Sequence, residues 1–228
     1  MWSDSIVKNL SEVKARIGEA AAASGRDESL ITVVAASKTR SQQTLREFEK
    51  LCPGSIFGEN RVQEFNLKYT PDLQWHFIGR LQTNKVKYLI GKVGLIHSVD
   101  NVRLLEEIDR ISLKRKLLTD VLVEVNTGGE LSKGGLAPSE VEKFILDAQR
   151  YKGVAIKGIM SVMPHVTGQA LCDCYARLKE LYDSLFAVKS DNYRNLILSA
   201  GMSEDYEVAV RYGSNMLRLG RALFGERL

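Results

Sequence analysis

The chain has 228 residues, of which 44% are hydrophobic, 26% charged and 7% aromatic. This composition excludes a disordered protein, because the apolar side chains can offset the entropy of ordering the chain, and no apolar run reaches the roughly 18 residues of a membrane span. The net charge of +4 comes from 32 basic and 28 acidic residues without a dense basic run, so nucleic acid is not expected as a partner.

The hydrophobic pattern alternates between helical and strand-like periods from one end of the chain to the other. Residues 4–24 carry apolar side chains at helical spacing, and Gly25 ends that helix. The run 31–36 is short and rich in β-branched residues, which predicts a strand, and Ser41 can cap the helix that follows it. Seven further strands are predicted at 55–58, 75–79, 95–99, 120–126, 154–160, 196–200 and 216–219. Further helices are predicted at 61–69, 83–90, 102–114, 139–151, 169–188 and 204–212.

Eight strands that alternate with helices indicate parallel βαβ units. We therefore predict an α/β fold, a single (β/α)8 TIM barrel domain over residues 1–228, in which the extra N-terminal helix covers part of the gap left by a missing eighth helix. An open doubly wound sheet is the competing architecture. It would usually place a glycine-rich phosphate turn after the first strand, where this chain has Ser37-Lys38-Thr39-Arg40.

The strand ends of a barrel carry its functional residues, and Lys38 ends the first strand. Partial burial at the barrel mouth would lower the pKa of its ammonium group, and a partly neutral amine can form a Schiff base with an aldehyde. The alternatives are a lysine that extends into solvent or one that pairs with Glu59.

The ends of the last two strands have the features of a phosphate site. Ser203 follows Gly201 where a helix is expected to begin, and Gly220 precedes Arg221 after the eighth strand. Backbone N–H groups at such positions bind phosphate in many barrels. Together with Lys38, they indicate a phosphorylated carbonyl cofactor.

Cysteine and histidine do not form a metal site in this pattern. Cys52, Cys172 and Cys174 provide no disulfide framework and no zinc spacing, and the three histidines are isolated. The first residues lack the pattern of a signal peptide. A protein of the reducing cytoplasm is expected.

Several motifs, which lie in order at the strand ends, resemble the pyridoxal phosphate homeostasis protein family. They are Ala36-Ser37-Lys38-Thr39, Phe57-Gly58-Glu59-Asn60-Arg61-Val62-Gln63-Glu64, Trp75 to Lys85, Ile96-His97-Ser98-Val99-Asp100, Val125-Asn126, Ser132-Lys133-Gly134-Gly135, Gly158-Ile159-Met160, Leu198 to Asp205 and Gly213 to Arg227. The resemblance covers essentially the whole chain. It implies a relative of the alanine racemase N-terminal barrel that holds pyridoxal 5′-phosphate (PLP).

The resemblance also implies roles for individual residues. Lys38 would carry PLP as an aldimine, and Arg218 would face the pyridine nitrogen. Ser203, Gly220 and Arg221 would hold the phosphate, Arg221 standing where the family often has threonine. Asn60 and His76 would line the pocket of the ring.

An arginine beside the pyridine nitrogen cannot accept a hydrogen bond, so the ring stays unprotonated and is a weak electron sink. The chain also ends soon after the barrel, without the domain that supplies the second acid or base in racemases. We therefore expect a cytoplasmic PLP-binding protein in vitamin B6 and amino-acid homeostasis without catalytic residues. Its partners would be PLP and PLP-requiring apo-enzymes, with neither nucleic acid nor membrane, and it would be a monomer. The alternatives are a PLP-dependent racemase or lyase of weak activity and an aldolase that uses Lys38 without a cofactor.

Overall fold

The computed structural model describes residues 2–129, 134–186 and 196–226, and these form a closed barrel of eight parallel strands in chain order. The strands are β1 Thr32–Ala36, β2 Ile56–Glu59, β3 Gln74–Phe77, β4 Leu95–Val99, β5 Thr119–Val125, β6 Val154–Ser161, β7 Ile197–Ser199 and β8 Met216–Leu219. The barrel closes where β1 pairs with β8. This confirms the predicted barrel and excludes the open sheet.

Helices connect most of the strands and cover the outside of the barrel. The α-helices are α1 Trp2–Ala23, α2 Gln42–Leu51, α3 Val62–Lys68, α4 Val102–Arg115, α5 Pro138–Ala148, α6 Gly168–Phe186, α7 Tyr206–Arg211 and α8 Arg221–Phe224, and 3₁₀ helices span Glu28–Leu30 and Thr83–Tyr88. Ser41 caps α2 as predicted, because its Oγ accepts the N–H of Thr44 at 3.1 Å. Within the described ranges, no helix is long and apolar enough to cross a lipid bilayer.

Several predicted helices differ in their form or their ends; the helix predicted at 139–151, for example, ends at Ala148. The segment predicted at 83–90 is a 3₁₀ helix over Thr83–Tyr88, because the N–H groups of Lys85 and Leu89 donate to carbonyl oxygens three residues earlier, those of Gln82 and Val86. The helix predicted at 204–212 begins only at Tyr206, because residues 203–205 form a turn. The helix predicted at 169–188 is described to Phe186, and its last two residues lie outside the described ranges.

The core has an inner and an outer layer. Inside the barrel, buried side chains from five strands pack together: Val34, Leu95, Leu122, Met160 and Met216. The larger outer layer lies between the strands and the helices. Because side chains alternate along a strand, the residues two positions beyond the inner layer point toward the carboxyl-terminal mouth of the barrel.

The N-terminal helix packs at the place predicted for it. Asn9 of α1 donates from Nδ2 to the carbonyl oxygen of Leu223 in α8 at 3.0 Å, and Arg16 forms an ion pair of 3.0 Å with Glu207 of α7. The helix α8 has only four residues. The N-terminal helix thus covers the side of the barrel that a full eighth helix would cover.

Candidate functional site

Lys38 lies at the mouth of the barrel, two residues beyond Ala36 and four beyond the inner-layer residue Val34. Its side chain is exposed, and it lines a cavity of about 250 Å³ that we call the Lys38 cavity. The wall includes Ala36, Lys38, Asn60, Ile78, Val162, Leu171, Ser203, Arg218, Gly220 and Arg221. Lys38 therefore occupies a position from which its amine can reach a ligand in this cavity.

The turn after β1 fixes the backbone around Lys38. Thr39 has a φ of 66°, in the left-handed region that residues other than glycine rarely adopt. Such a conformation costs about 1–3 kcal/mol and persists only where its surroundings hold it. Here the backbone N–H of Thr39 donates to Glu64 Oε2 at 2.9 Å. Helix α3, which carries Glu64, thus helps to position the lysine.

The buried ammonium group of Lys68 links the same turn to β2 by hydrogen bonds. Lys68 Nζ donates to the carbonyl oxygen of Ser37 at 2.9 Å, to Glu59 Oε1 at 2.7 Å and to Glu64 Oε2 at 3.2 Å. Ser37 Oγ donates to the same Glu59 oxygen at 2.7 Å. The alternative in which Lys38 pairs with Glu59 is not formed, because Lys68 takes that place.

Asn60 follows β2 and lines the Lys38 cavity. Its Oδ1 is buried and has no hydrogen-bond partner among the residues that the structure describes. Gly79 permits this placement, since a Cβ there would lie 2.2 Å from the carbonyl oxygen of Asn60. An unsatisfied buried amide oxygen is costly, so Asn60 is held beside the cavity with some loss of stability.

Arg218 lies at the base of the Lys38 cavity and is only 5% exposed. Its Nη1 donates to the carbonyl oxygen and Oγ of Ser199 at 2.8 and 2.7 Å, and its Nη2 donates to the carbonyl oxygen of Ser161 at 2.8 Å. No carboxylate in the described part of the chain forms an ion pair with it. Burial lowers the pKa of Arg218, while Tyr175 and Asp205 counteract that effect. A buried cation without an anionic partner is unusual, and it favours a polar or anionic ligand beside it.

A hydrogen-bonded chain leads from Arg218 into the barrel. Ser199 Oγ lies 3.2 Å from His97 Nδ1, and His97 Nε2 lies 3.1 Å from His76 Nδ1. Ser199 Oγ accepts a hydrogen bond from Arg218, so its hydroxyl hydrogen donates to His97 Nδ1. The Nε2–H of His97 then donates to His76 Nδ1. His76, predicted to line the ring pocket, therefore lies outside the wall of the Lys38 cavity, behind His97.

Burial sets the charge of both histidines. It lowers the pKa of His76 to about 4, and burial together with His76 and Arg218 holds the pKa of His97 well below 6.5. In the unfolded chain His76 is protonated below its ordinary pKa of 6.5, whereas in the folded protein it is protonated only below about pH 4. Stability from this group is therefore complete above pH 6.5 and is lost as the pH falls from 6.5 to 4.

We predict that His76→Gln reduces the loss of unfolding free energy between pH 7 and pH 5, measured by urea unfolding at both values. The variant removes a group that stays neutral in the folded protein over this pH range but binds a proton in the unfolded chain. His165→Gln, which changes an exposed histidine, is the control. An unchanged pH dependence in His76→Gln would show that the histidine pair does not control acid stability.

Ser203 and Gly220 line the end of the cavity where the sequence predicts a phosphate, which we call the phosphate-like end. Ser203 does not cap α7 as predicted. Its Oγ accepts the backbone N–H groups of Gly220 at 3.3 Å and Ala222 at 3.1 Å, at the start of α8. The three-residue turn before α7 places the hydroxyl on this neighbouring helix instead. Arg221 forms an ion pair with Glu204 across the same end of the cavity.

We predict that Ser203→Ala lowers the unfolding free energy by about 0.5–2 kcal/mol, the usual cost of a lost helix cap. It should also weaken PLP retention by about 1.5–3 kcal/mol if the hydroxyl donates to the phosphate. Ser41→Ala removes the cap of α2 at a residue that does not line the cavity, and it should match the loss of stability without a comparable loss of PLP affinity. Equal PLP affinities of both variants, measured by equilibrium dialysis, would assign the phosphate to backbone N–H groups alone.

Two carboxyl groups lie at the mouth of the barrel near Gly134. A Cβ added there would lie 3.3 Å from Asp100 Oδ2 and 3.5 Å from Glu124 Oε1. Burial, followed by the charge of Asp100, raises the pKa of Glu124 to about 7. A carboxyl group with this pKa can gain or lose a proton at neutral pH, a feature that often accompanies a functional site.

Six of the seven residues predicted for the site line one cavity: Lys38, Asn60, Ser203, Arg218, Gly220 and Arg221. The sequence reasoning missed Lys68, His97, Ser199 and Glu124. The spacing of four residues between Glu64 and Lys68 could have indicated an ion pair on α3. No local pattern indicates that His97 meets His76 and Ser199, because these contacts join different strands.

Comparisons with known proteins agree with this geometry. The model of the alanine racemase N-terminal domain family matches residues 9–228. The pyridoxal phosphate homeostasis protein of Aquifex aeolicus is 43% identical over 225 residues, which cover 96% of this chain and 97% of that protein.

Solved structures share the fold of this chain. PipY of Synechococcus elongatus with PLP bound is 28% identical and superimposes with a TM-score of 0.82, covering 96% of this chain and 100% of PipY. An alanine racemase of Clostridium difficile is similar in fold alone, with a TM-score of 0.77 at 15% identity over 98% of this chain and 60% of the racemase. The chain belongs to the pyridoxal phosphate homeostasis protein family and has the alanine racemase N-terminal barrel fold.

Proposed function

We propose that this protein binds pyridoxal 5′-phosphate and acts in its homeostasis, with Lys38 Nζ bonded to the aldehyde carbon of the cofactor. The relatives named for PLP homeostasis and the PLP-bound PipY structure support this proposal. We further propose that the protein stores and releases PLP without robust catalytic turnover.

The observation that carries the proposal is Arg218, a buried cation without a carboxylate partner in the described ranges, in the same cavity as an accessible lysine. The cavity wall has the polar groups that the cofactor needs. The amine of Lys38 matches its aldehyde, and the hydroxyl of Ser203 beside the backbone of Gly220 matches its phosphate. Asn60 lines the same wall, and its side-chain amide is the polar group nearest in sequence to β2 that could face the ring. The residues present therefore fit PLP.

Arg218 determines what the site can do with that cofactor. When bound, PLP supplies an electron sink for carbanion chemistry. Arg218 offers only donors and is held by the carbonyl oxygens of Ser161 and Ser199, so it cannot keep a proton on the pyridine nitrogen. His97 and His76 support Arg218 through Ser199. This arrangement favours binding over catalysis.

We also propose that the protein is a cytoplasmic monomer that passes PLP to apo-enzymes. Exposed apolar side chains such as Leu30, Leu67 and Leu146 lie on separate elements, and the one group along the described chain, Leu113, Leu117 and Leu118, is small and confined to the end of α4 and the residues just after it. Scattered apolar residues are normal on a monomer, whereas a stable interface requires a contiguous patch. Sedimentation of the intact chain at micromolar concentration tests this part of the proposal.

A PLP titration followed by absorbance, combined with an amino-acid assay, tests the function. We expect one equivalent of PLP to give the absorbance band of a lysine-bound cofactor, and the loaded protein to leave the enantiomers of alanine and serine unconverted over hours. Rapid racemisation or cleavage would support the PLP-enzyme alternative, in which Glu124 is the candidate base. Activity toward an aldehyde without any PLP binding would support the aldolase alternative.

A further inference from the structure

A second polar cleft adjoins the Lys38 cavity and has no role in the function proposed above. It has a volume of about 420 Å³ and lies between the segment after β2 and the segment after β3. We call it the cationic cleft, and it is lined by Asn60, Arg61, Gln63, Arg80, Gln82 and Lys85, with Val62 and Glu64 at its base. These residues come from two of the motifs found in the sequence, Gly58 to Glu64 and Gly79 to Lys85.

The charges of the cleft are unbalanced. Arg61, Arg80 and Lys85 form no salt bridge within the described parts of the chain, and Lys85 Nζ lies 5.8 Å from the centre of the Tyr88 ring. The one carboxylate in the wall, Glu64, is already bound to Lys68 and to the N–H of Thr39. The hydrogen bond from Thr39 is the main reason why the pKa of Glu64 is lowered. Three cations thus face the cleft, and its single anion is occupied elsewhere.

The shape and chemistry of the cleft fit a small anion. Its volume falls within the range of about 300–1,000 Å³ that is typical of small-molecule sites. Guanidinium groups bind phosphate oxygens through two parallel hydrogen bonds, and lysine adds a point charge. The amides of Gln63 and Gln82 offer further donors, and Val62 is the only apolar residue in the wall. A concave, strongly polar wall matches a phosphate group better than an apolar ligand or the convex surface of an acidic protein.

The cleft is separate from the phosphate-like end of the Lys38 cavity. Asn60 is the one residue that lines both, whereas Ser203 and Gly220 line the Lys38 cavity alone. The unpartnered Oδ1 of Asn60 lies in this shared wall. A ligand in the cleft would therefore be next to a ligand in the Lys38 cavity, with its phosphate bound by different residues.

We propose that the cationic cleft is a second, noncovalent site for the phosphate group of a small molecule. The phosphate can be inorganic phosphate or part of a phosphorylated pyridine that enters or leaves the Lys38 cavity. Only the second source rests on the proposed function, because it requires a B6 compound at Lys38.

The test titrates inorganic phosphate and, separately, pyridoxine 5′-phosphate into the full chain, followed by backbone NMR shifts. Pyridoxine 5′-phosphate has an alcohol in place of the aldehyde and cannot bond to Lys38. Three variants are compared with the parent: the double variant Arg80→Gln/Lys85→Gln, Ser203→Ala for the other phosphate-like end, and Lys143→Gln on the distant surface. Arg80 has no hydrogen bond to lose among the described residues, so the double variant should fold normally.

We expect saturable shifts around residues 61–64 and 80–85 that persist in Ser203→Ala and in Lys143→Gln. Affinity at these residues should fall about tenfold or more in the double variant, as expected for the loss of two charge-assisted contacts. Tighter binding of pyridoxine 5′-phosphate than of inorganic phosphate would identify the phosphorylated pyridine as the source, and equal binding would identify free phosphate. Equal affinity in the double variant and the parent would overturn the proposal. It would also be overturned if the cleft bound polyglutamate, a carboxylate polymer, but neither phosphate compound. The result for inorganic phosphate does not depend on whether PLP binds at Lys38, so a failure of the proposed function and a failure of this proposal can be told apart.

Discussion

Replacing Lys38 with alanine is expected to abolish the absorbance band of lysine-bound PLP while the barrel remains folded. Lys38 is exposed at the end of β1 and contributes little to the core, so the free energy of unfolding should stay within about 0.5 kcal/mol of the parent value. The covalent bond is lost completely, and the remaining contacts at Ser203, Gly220 and Arg218 would hold PLP only reversibly. Absorbance before and after gel filtration measures both effects.

Lys143→Ala is the matched control, since Lys143 is an exposed lysine on α5 whose partner is Asp147. It should retain the band and the bound cofactor through gel filtration. A Lys38→Ala protein that keeps the band would assign the cofactor to another lysine, and the role proposed for Lys38 would be wrong.

Replacing Lys68 with methionine should destabilise the protein by about 3–5 kcal/mol, the usual cost of removing one partner from a buried ion pair. Glu59 is fully buried, and without Lys68 its carboxylate would keep only the hydroxyl of Ser37 as a described donor. The carbonyl oxygen of Ser37 would also lose its donor, and Glu64 would alone hold the strained turn at Thr39. Urea unfolding measures the loss of stability.

Lys143→Met provides the comparison for this variant. Its ion pair with Asp147 is exposed and separated by four residues along one helix, and such pairs contribute about 0.3–0.5 kcal/mol. Equal stability of the two variants would show that the buried cluster around Glu59 does not hold the turn. We also expect Lys68→Met to bind PLP more slowly than Lys143→Met, because the backbone around Lys38 would be less fixed.

The barrel could be predicted from the sequence because its signals are local. Short β-branched runs such as residues 31–36 alternate with helical patterns, and this order predicts parallel strands. The strand ends in turn predict which side chains meet at the mouth, which is why Lys38, Asn60 and Arg218 fall in one cavity. The twist and closure of the barrel bring them together from distant parts of the chain.

The contacts beneath the cavity could not be predicted in this way. Ser203 has the sequence of a helix cap, yet it binds N–H groups of the helix after the next strand. The prediction failed because the turn before α7 is longer than the pattern suggests. His76 is predicted to line the ring pocket, and this stays a prediction; its contact with His97, set by the register of β3 and β4, could not be predicted. Register and turn length depend on tertiary packing, which a single sequence does not specify.

Borohydride reduction of the PLP-loaded protein, followed by peptide mapping with mass spectrometry, identifies the lysine that holds the cofactor. Reduction makes the bond between the cofactor and its lysine permanent, so the modified residue can be identified. We predict one pyridoxyl group per chain, on Lys38, in the peptide that contains Ala36-Ser37-Lys38-Thr39. Modification of Lys85 or Lys133 in place of Lys38, or no modification of a protein that has bound PLP, would contradict it.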